Sequence, residues 1–189
     1  MIKVDELKPI KYIFKPLNAT NTIFLDRDGV LNNIVIRGEN LSSPRCLAEF
    51  KVFEDLIALA DSNINENWNI VIVTNQPDLS RGLIDMGLLD VFHDQFLQHF
   101  PLNAVYVCPH LKTDGCNCRK PNRGLIDCFY TDFPKITGKA FFVGDRIADF
   151  ECAKAAGIPF ILRKHHYNGE LTEKTKYIIQ NLHELKNII

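Results

Sequence analysis

The chain has no apolar run approaching the roughly 20 residues that a membrane-spanning helix needs, so no membrane partner is expected. It also lacks an excess of charge. Its 22 lysines and arginines stand against 23 aspartates and glutamates, and a net charge of -1 sets up no broad attraction to nucleic acid or anionic lipid. Neither an internal repeat nor a low-complexity linker divides the 189 residues, which fit one domain with a proper core. The first fifteen residues intersperse four lysines with acids and a proline and lack the apolar centre of a secretory signal, so a cytoplasmic location is expected. Thiols there are reduced, and clustered cysteines then suggest a metal before a disulfide.

What the chain does have is alternation. Apolar, β-rich runs at residues 22–25, 69–74, 104–108, 140–143 and 159–162 alternate with helical patterns near 53–62, 84–100, 123–132 and 147–156. A last strand and helix are expected within 176–187. This order predicts an α/β fold, a Rossmann-like parallel sheet with helices on both faces. Ligands of such sheets bind outside the carboxyl ends of the strands. The polar residues fall there: Asp26 and Asp28 after the first run, Thr74-Asn75-Gln76 after the second, Cys108-Pro109-His110 after the third and Gly144-Asp145-Arg146 after the fourth.

Each group suggests a chemistry. In extended backbone Asp26 and Asp28 face one side, where their repulsion calls for a cation, a shared proton or an intermediate. Asp145 and Asp149, four apart, could both lie at a helix entry; with Asp26 they form an oxygen-rich set suited to Mg²⁺, though either could simply favour the helix N-terminus. Thr74 and Asn75 offer a hydroxyl and backbone N–H groups to phosphoryl oxygens, and Arg119-Lys120-Pro121 could aim two cations at an anion. Cys108, His110, Cys116 and Cys118 give the Cys₃His set of a zinc site, with random clustering or a Cys116–Cys118 bridge as the alternative. Cys46, Cys128 and Cys152 are dispersed and are expected to be buried thiols; His165-His166 reads as a solvated turn and Trp68 as core.

Taken together, Asp26-Arg27-Asp28-Gly29, Thr74-Asn75-Gln76, Arg119-Lys120-Pro121 and Gly144-Asp145-Arg146 resemble the four motifs of haloacid dehalogenase-superfamily phosphatases. The zinc-ligand pattern resembles a subgroup without a separate cap domain, which holds the D-glycero-D-manno-heptose 1,7-bisphosphate 7-phosphatases and the histidinol-phosphate phosphatases. The resemblance spans residues 22–159 and implies an N-terminal extension over 1–21 and a single phosphatase domain over 22–189, its zinc loop at 108–118. Ser80-Arg81-Gly82 resembles the heptose-bisphosphate branch, while Pro77-Asp78 stands where that branch has Ser-Gly and Arg123 where it commonly has proline.

The resemblance implies Mg²⁺-dependent hydrolysis of the sugar 7-phosphate by a monomer. Asp26 is the expected nucleophile and Asp28 the acid and base, protonated by a raised pKa. Asp26, the Asp28 carbonyl and Asp145 would hold Mg²⁺, with Asp149 in support. Thr74, Asn75 and Lys120 would hold the phosphoryl group, and Arg81 and Arg119 the sugar or its second phosphate. Rival readings are a histidinol-phosphate phosphatase, a polynucleotide 3′-phosphatase and a catalytically silent zinc-stapled binding module.

Overall fold

The computed structural model describes residues 7–60 and 64–189. A seven-stranded sheet runs through it, built from β1 (Ile10–Ile13), β2 (Asn21–Leu25), β5 (Trp68–Asn75), β6 (Ala104–Cys108), β7 (Ala140–Gly144), β8 (Phe160–Arg163) and β9 (Tyr177–Ile179). Their spatial order is β1-β6-β5-β2-β7-β8-β9, and every pairing except β1 with β6 is parallel. A small hairpin, β3 (Val35–Arg37) and β4 (Asn40–Ser42), stands between β2 and β5. Among the described residues no cap domain occupies that position.

Alternation along each strand divides the core in two. Ile23 and Leu25 of β2 and Ile70 and Ile72 of β5 pack against α1 (Asp55–Ala60), α2 (Met86–Leu97) and the 3₁₀ turn Leu182–Asn187. Phe24, Val71 and Val73 face the other way, onto α3 (Gly124–Asp132) and α4 (Ile147–Ala156). Both faces are thus covered, as parallel strands require. Trp68 is buried, as the sequence suggested.

Four expectations need correction. Residues 10–13 are not separate from the sheet: as β1 they extend it antiparallel to β6, from Ile10 opposite Val107 to Ile13 opposite Ala104. The last helical segment is a 3₁₀ turn. The helix expected over 53–62 spans Asp55–Ala60, and the end of that range lies outside the described residues. Among the thiols, Cys152 is buried but Cys46 is exposed and Cys128 half-buried.

β2 is the pivot. Its neighbours β5 and β7 carry the chain outward in opposite directions, so the loops after β2, β5 and β7 converge on one crevice.

Candidate active site

The loop after β2 places Asp26 and Asp28. Gly29 turns the chain there with φ of +86°, and a Cβ at that position would come within 2.2 Å of Asp145 Oδ2. Only glycine meets both demands. Arg27, fully buried over the Phe92 ring, donates from Nε and Nη2 to the Asp28 carboxylate at 3.1 and 3.0 Å. Asn32, Ser43 and Gln76 donate to the same carboxylate at 2.8, 2.7 and 2.8 Å. Burial alone would raise the Asp28 pKa, but Arg27 and these three donors outweigh it and hold the carboxyl below its ordinary value. The expected protonated Asp28 is therefore not the resting state. The sequence showed its carboxylate neighbours but not the cation and donors that surround it.

Asp26 is shifted the other way. Burial and the charge of Asp149 raise it to about 6 against the lowering effect of Lys120. Lys120 is buried between them, with Nζ 2.8 Å from Asp26 Oδ1 and 2.6 Å from Asp149 Oδ1, and it donates to the Val73 carbonyl at 2.8 Å. Burial opposes its charge, but the two carboxylates prevail and raise its pKa. Asp149 Oδ2 accepts from the Arg146 and Asp145 amides at 3.0 and 3.3 Å, closing the start of α4. It therefore both caps the helix and anchors Lys120.

Asp145, fully buried, completes the acidic set: ligand atoms of Asp26, Asp145 and Asp149 all lie within 4.8 Å of one another. Burial, then Asp149 and Asp26, raise its pKa well above the usual carboxylate range. Its Oδ2 accepts from Tyr167 at 2.6 Å, while its Oδ1, buried, has no partner. Three buried carboxylates against the one buried ammonium leave two negative charges, the complement of one divalent cation. The site fits Mg²⁺, with Asp26 and Asp145 offering oxygens and Asp149 already engaged.

Thr74, next to last in β5, is buried, its hydroxyl accepting from Gln76 Nε2 at 3.0 Å and keeping its own proton to donate. The side chain of Asn75 has a structural task. Its amide exchanges two 3.0 Å hydrogen bonds with the Lys120 main chain, clasping the Lys120 loop to β5.

A pocket of about 380 Å³ opens over Asp26, Asp28, Thr74 and Lys120. Arg81 and Arg119 line it as expected, joined by Arg45 and Arg146, which the sequence reading missed. Asp78, buried, binds Arg45 Nε at 2.7 Å and Arg81 Nη1 at 2.9 Å. Burial would raise the Asp78 pKa, but the two guanidinium groups lower it. Ser43 and Arg45 follow the β3–β4 hairpin, in a loop with no motif to mark it. Tyr167 was overlooked beside His165, which is itself half-buried and donates from Nε2 to the Gly29 carbonyl at 2.7 Å.

Cys108, His110, Cys116 and Cys118 come together as a second buried cluster. Cys108 and Cys118 each lie 3.6 Å from Cys116 in Sγ separation, unbridged, and His110 Nδ1 lies 3.4 and 3.1 Å from Cys108 and Cys118. Tetrahedral bonds of about 2.3 Å to zinc place sulfurs roughly 3.8 Å apart, so the donor set fits that ion. The Cys118 thiol, hydrogen-bonded to Cys108, lowers the Cys108 pKa to about 6, and the same contact raises that of Cys118. Arg119 Nη1 donates to the His110 carbonyl at 3.0 Å, tying this loop to the pocket.

The fold and the crevice define a phosphatase of the haloacid dehalogenase type, and known proteins agree. The HAD-hydrolase-like family model matches residues 117–185. A probable D-glycero-D-manno-heptose-1,7-bisphosphate 7-phosphatase of Thermoplasma acidophilum is 30% identical over 84% of this chain and 100% of its own length. The histidine biosynthesis bifunctional protein HisB of Blochmanniella floridana is 32% identical over 88% of this chain but only 47% of its own. The D,D-heptose 1,7-bisphosphate phosphatase of Bordetella bronchiseptica, solved with magnesium and phosphate, superposes with a TM-score of 0.74 at 25% identity, covering 89% of this chain and 97% of that one. The chain belongs to the haloacid dehalogenase superfamily, in the family of these phosphoric monoester hydrolases.

Proposed function

We propose that the protein is a Mg²⁺-dependent phosphatase that removes the 7-phosphate of D-glycero-D-manno-heptose 1,7-bisphosphate through an aspartyl-phosphate. The observation that carries the hydrolytic reading is the buried set Asp26–Lys120–Asp149–Asp145, with two negative charges in excess, beside the pocket. Asp26 and Asp145, with the Asp28 carbonyl, are the ligands we assign to Mg²⁺. The ion, when bound, offsets carboxylate and phosphate charge.

Asp26 attacks phosphorus as the bond to the sugar oxygen breaks, splitting one hard step into two. Asp28 gives that oxygen a proton, which it takes up as phosphate charge enters beside it and opposes Arg27. In the second step Asp28 removes a proton from the water that attacks phosphorus, and Asp26 leaves as a free carboxylate. Thr74 and Lys120 hold the equatorial oxygens, because positioning and charge supply most of the catalysis in phosphoryl transfer. Asn75 serves them by clasping the Lys120 loop.

The sugar bisphosphate is supported by the arginines. Arg81 and Arg45, braced on Asp78, and Arg119 line the pocket, where forks suit a second phosphate. Zinc, held by Cys108, His110, Cys116 and Cys118, braces the loop that carries Arg119. The N-terminal segment belongs with the phosphatase domain through β1, and we place the enzyme in the cytoplasm as a monomer.

The deciding experiment is phosphate release at fixed Mg²⁺ from both anomers of the heptose bisphosphate and from histidinol phosphate in parallel. Preference for a heptose bisphosphate supports the proposal. Preference for histidinol phosphate, the activity suggested by the HisB relative, overturns the substrate and keeps the chemistry.

A further inference from the structure

We infer that Tyr167 is a positioning residue for the metal site: it holds Asp145 to one available oxygen and thereby favours Mg²⁺ over Ca²⁺. The inference rests on reading Asp145 as a metal ligand and is independent of which sugar is hydrolysed. The phenol donates to Asp145 Oδ2 at 2.6 Å, while Oδ1, equally buried, has no protein partner. One oxygen is thus spoken for and the other is free.

The phenol is itself fixed. Its ring stacks on His165 at 5.0 Å between centroids, with 8° between planes. His165 Nε2 donates to the Gly29 carbonyl at 2.7 Å, on the loop after β2. Asn168 donates from Nδ2 to the carbonyls of Asp145 and Arg163 at 2.9 and 3.0 Å and accepts from the His165 amide at 2.8 Å. Residues 165–168 therefore clip the loop of Asp26 to the loop of Asp145. Room for the clip depends on Gly29: a Cβ there would lie 2.2 Å from Asp145 Oδ2 and 2.8 Å from Tyr167 Oη.

The consequence follows from coordination. Mg²⁺ takes six ligands at about 2.1 Å and is satisfied by single carboxylate oxygens, whereas Ca²⁺ takes six to eight and readily uses both oxygens of one carboxylate. An Asp145 with Oδ2 engaged by a phenol suits the first ion and penalises the second. Partners that orient a ligand in this way are typically worth about 10–100-fold in metal affinity.

The test uses the full chain stripped of Mg²⁺, without substrate, as wild type and Tyr167→Phe. Mn²⁺ binding is followed by the paramagnetic resonance of the free ion, and Mg²⁺ and Ca²⁺ are titrated as competitors. We expect Tyr167→Phe to weaken Mg²⁺ by about tenfold and Ca²⁺ by much less, so that the Mg²⁺:Ca²⁺ preference falls. A preserved ratio overturns the inference, whatever the variant's melting temperature, because a merely structural role moves both ions together. A wild type that binds none of the three ions overturns this inference and the metal reading with it, while leaving the fold and the phosphate pocket untouched.

Discussion

Replacing Lys120 with methionine isolates the charge balance on which the site depends. Lys120 is the one buried cation among Asp26, Asp145 and Asp149, 2.8 and 2.6 Å from the first and last. Without it three carboxylates face one another with no cation buried between them. Removing one partner of a buried ion pair costs about 3–5 kcal/mol, and metal-stripped Lys120→Met should lose that much at pH 7.5. The loss should depend on pH in a definite direction. Asp26 in the folded protein already titrates at about 6, above its ordinary 3.8, and loses a lowering neighbour in the variant. A carboxyl raised on folding destabilises the native state fully above its folded pKa, and the penalty is relieved as pH falls through that value. The deficit against wild type should therefore shrink between pH 7.5 and pH 5, and saturating Mg²⁺ should recover part of it at the higher pH. Urea unfolding at the two pH values, with and without Mg²⁺, reads all three effects. The turnover rate should drop by about 10²–10³, the usual effect of losing one donor to a reacting oxygen. A variant within 1 kcal/mol of wild type at pH 7.5, or a deficit independent of pH, would refute the reasoning.

Other expectations are separable. Asp26→Asn should abolish turnover and leave the far-ultraviolet circular dichroism unchanged; residual phosphate release at more than a trace removes Asp26 as nucleophile. Asp78→Asn, which loosens both Arg45 and Arg81, should raise KM for a bisphosphate more than for an aryl monophosphate, and equal changes would detach these arginines from a second phosphate. Cys116→Ser should lower zinc content, stability and, through the Arg119–His110 contact, affinity for substrate; an unchanged melting temperature and KM would end the bracing role. His93 is buried with neither ring nitrogen partnered, and burial, then the Arg27 charge, depresses its pKa to about 3. Such a group costs stability as pH falls below its unfolded value near 6.5, by about 1.4 kcal/mol per unit. His93→Phe should gain about 2 kcal/mol on wild type between pH 7 and pH 5, and parallel stability curves would contradict this.

Much of this protein was decided along the chain. The five central strands were legible because each is a short apolar run bounded by polar turns, and their order with the helical segments implied parallel strands. The polar residues at the ends of four runs had to meet, because parallel strands bring their carboxyl ends to one edge. So the sequence alone assigns Asp26, Asp28, Thr74, Asp145 and the Cys108 cluster to one edge of the sheet. The β1 strand was not legible: it is an edge strand, its residues half-buried to exposed, and it carries no long apolar run.

What only the tertiary structure decided is the state of the site. Asp26 and Asp28 stand two apart in one loop, yet one carboxyl is raised and the other lowered. The difference comes from Asp149, Asn32, Ser43 and Gln76, which approach from other parts of the chain, and from the burial of Arg27 beside Asp28. The same holds for the Asn75 side chain, which clasps the Lys120 loop, for Asp78 between Arg45 and Arg81, and for Tyr167 on Asp145. Sequence spacing determines which face a residue presents. The energy of a charge depends on its nearest neighbours and on the water removed around it, and these are set only when distant segments pack together.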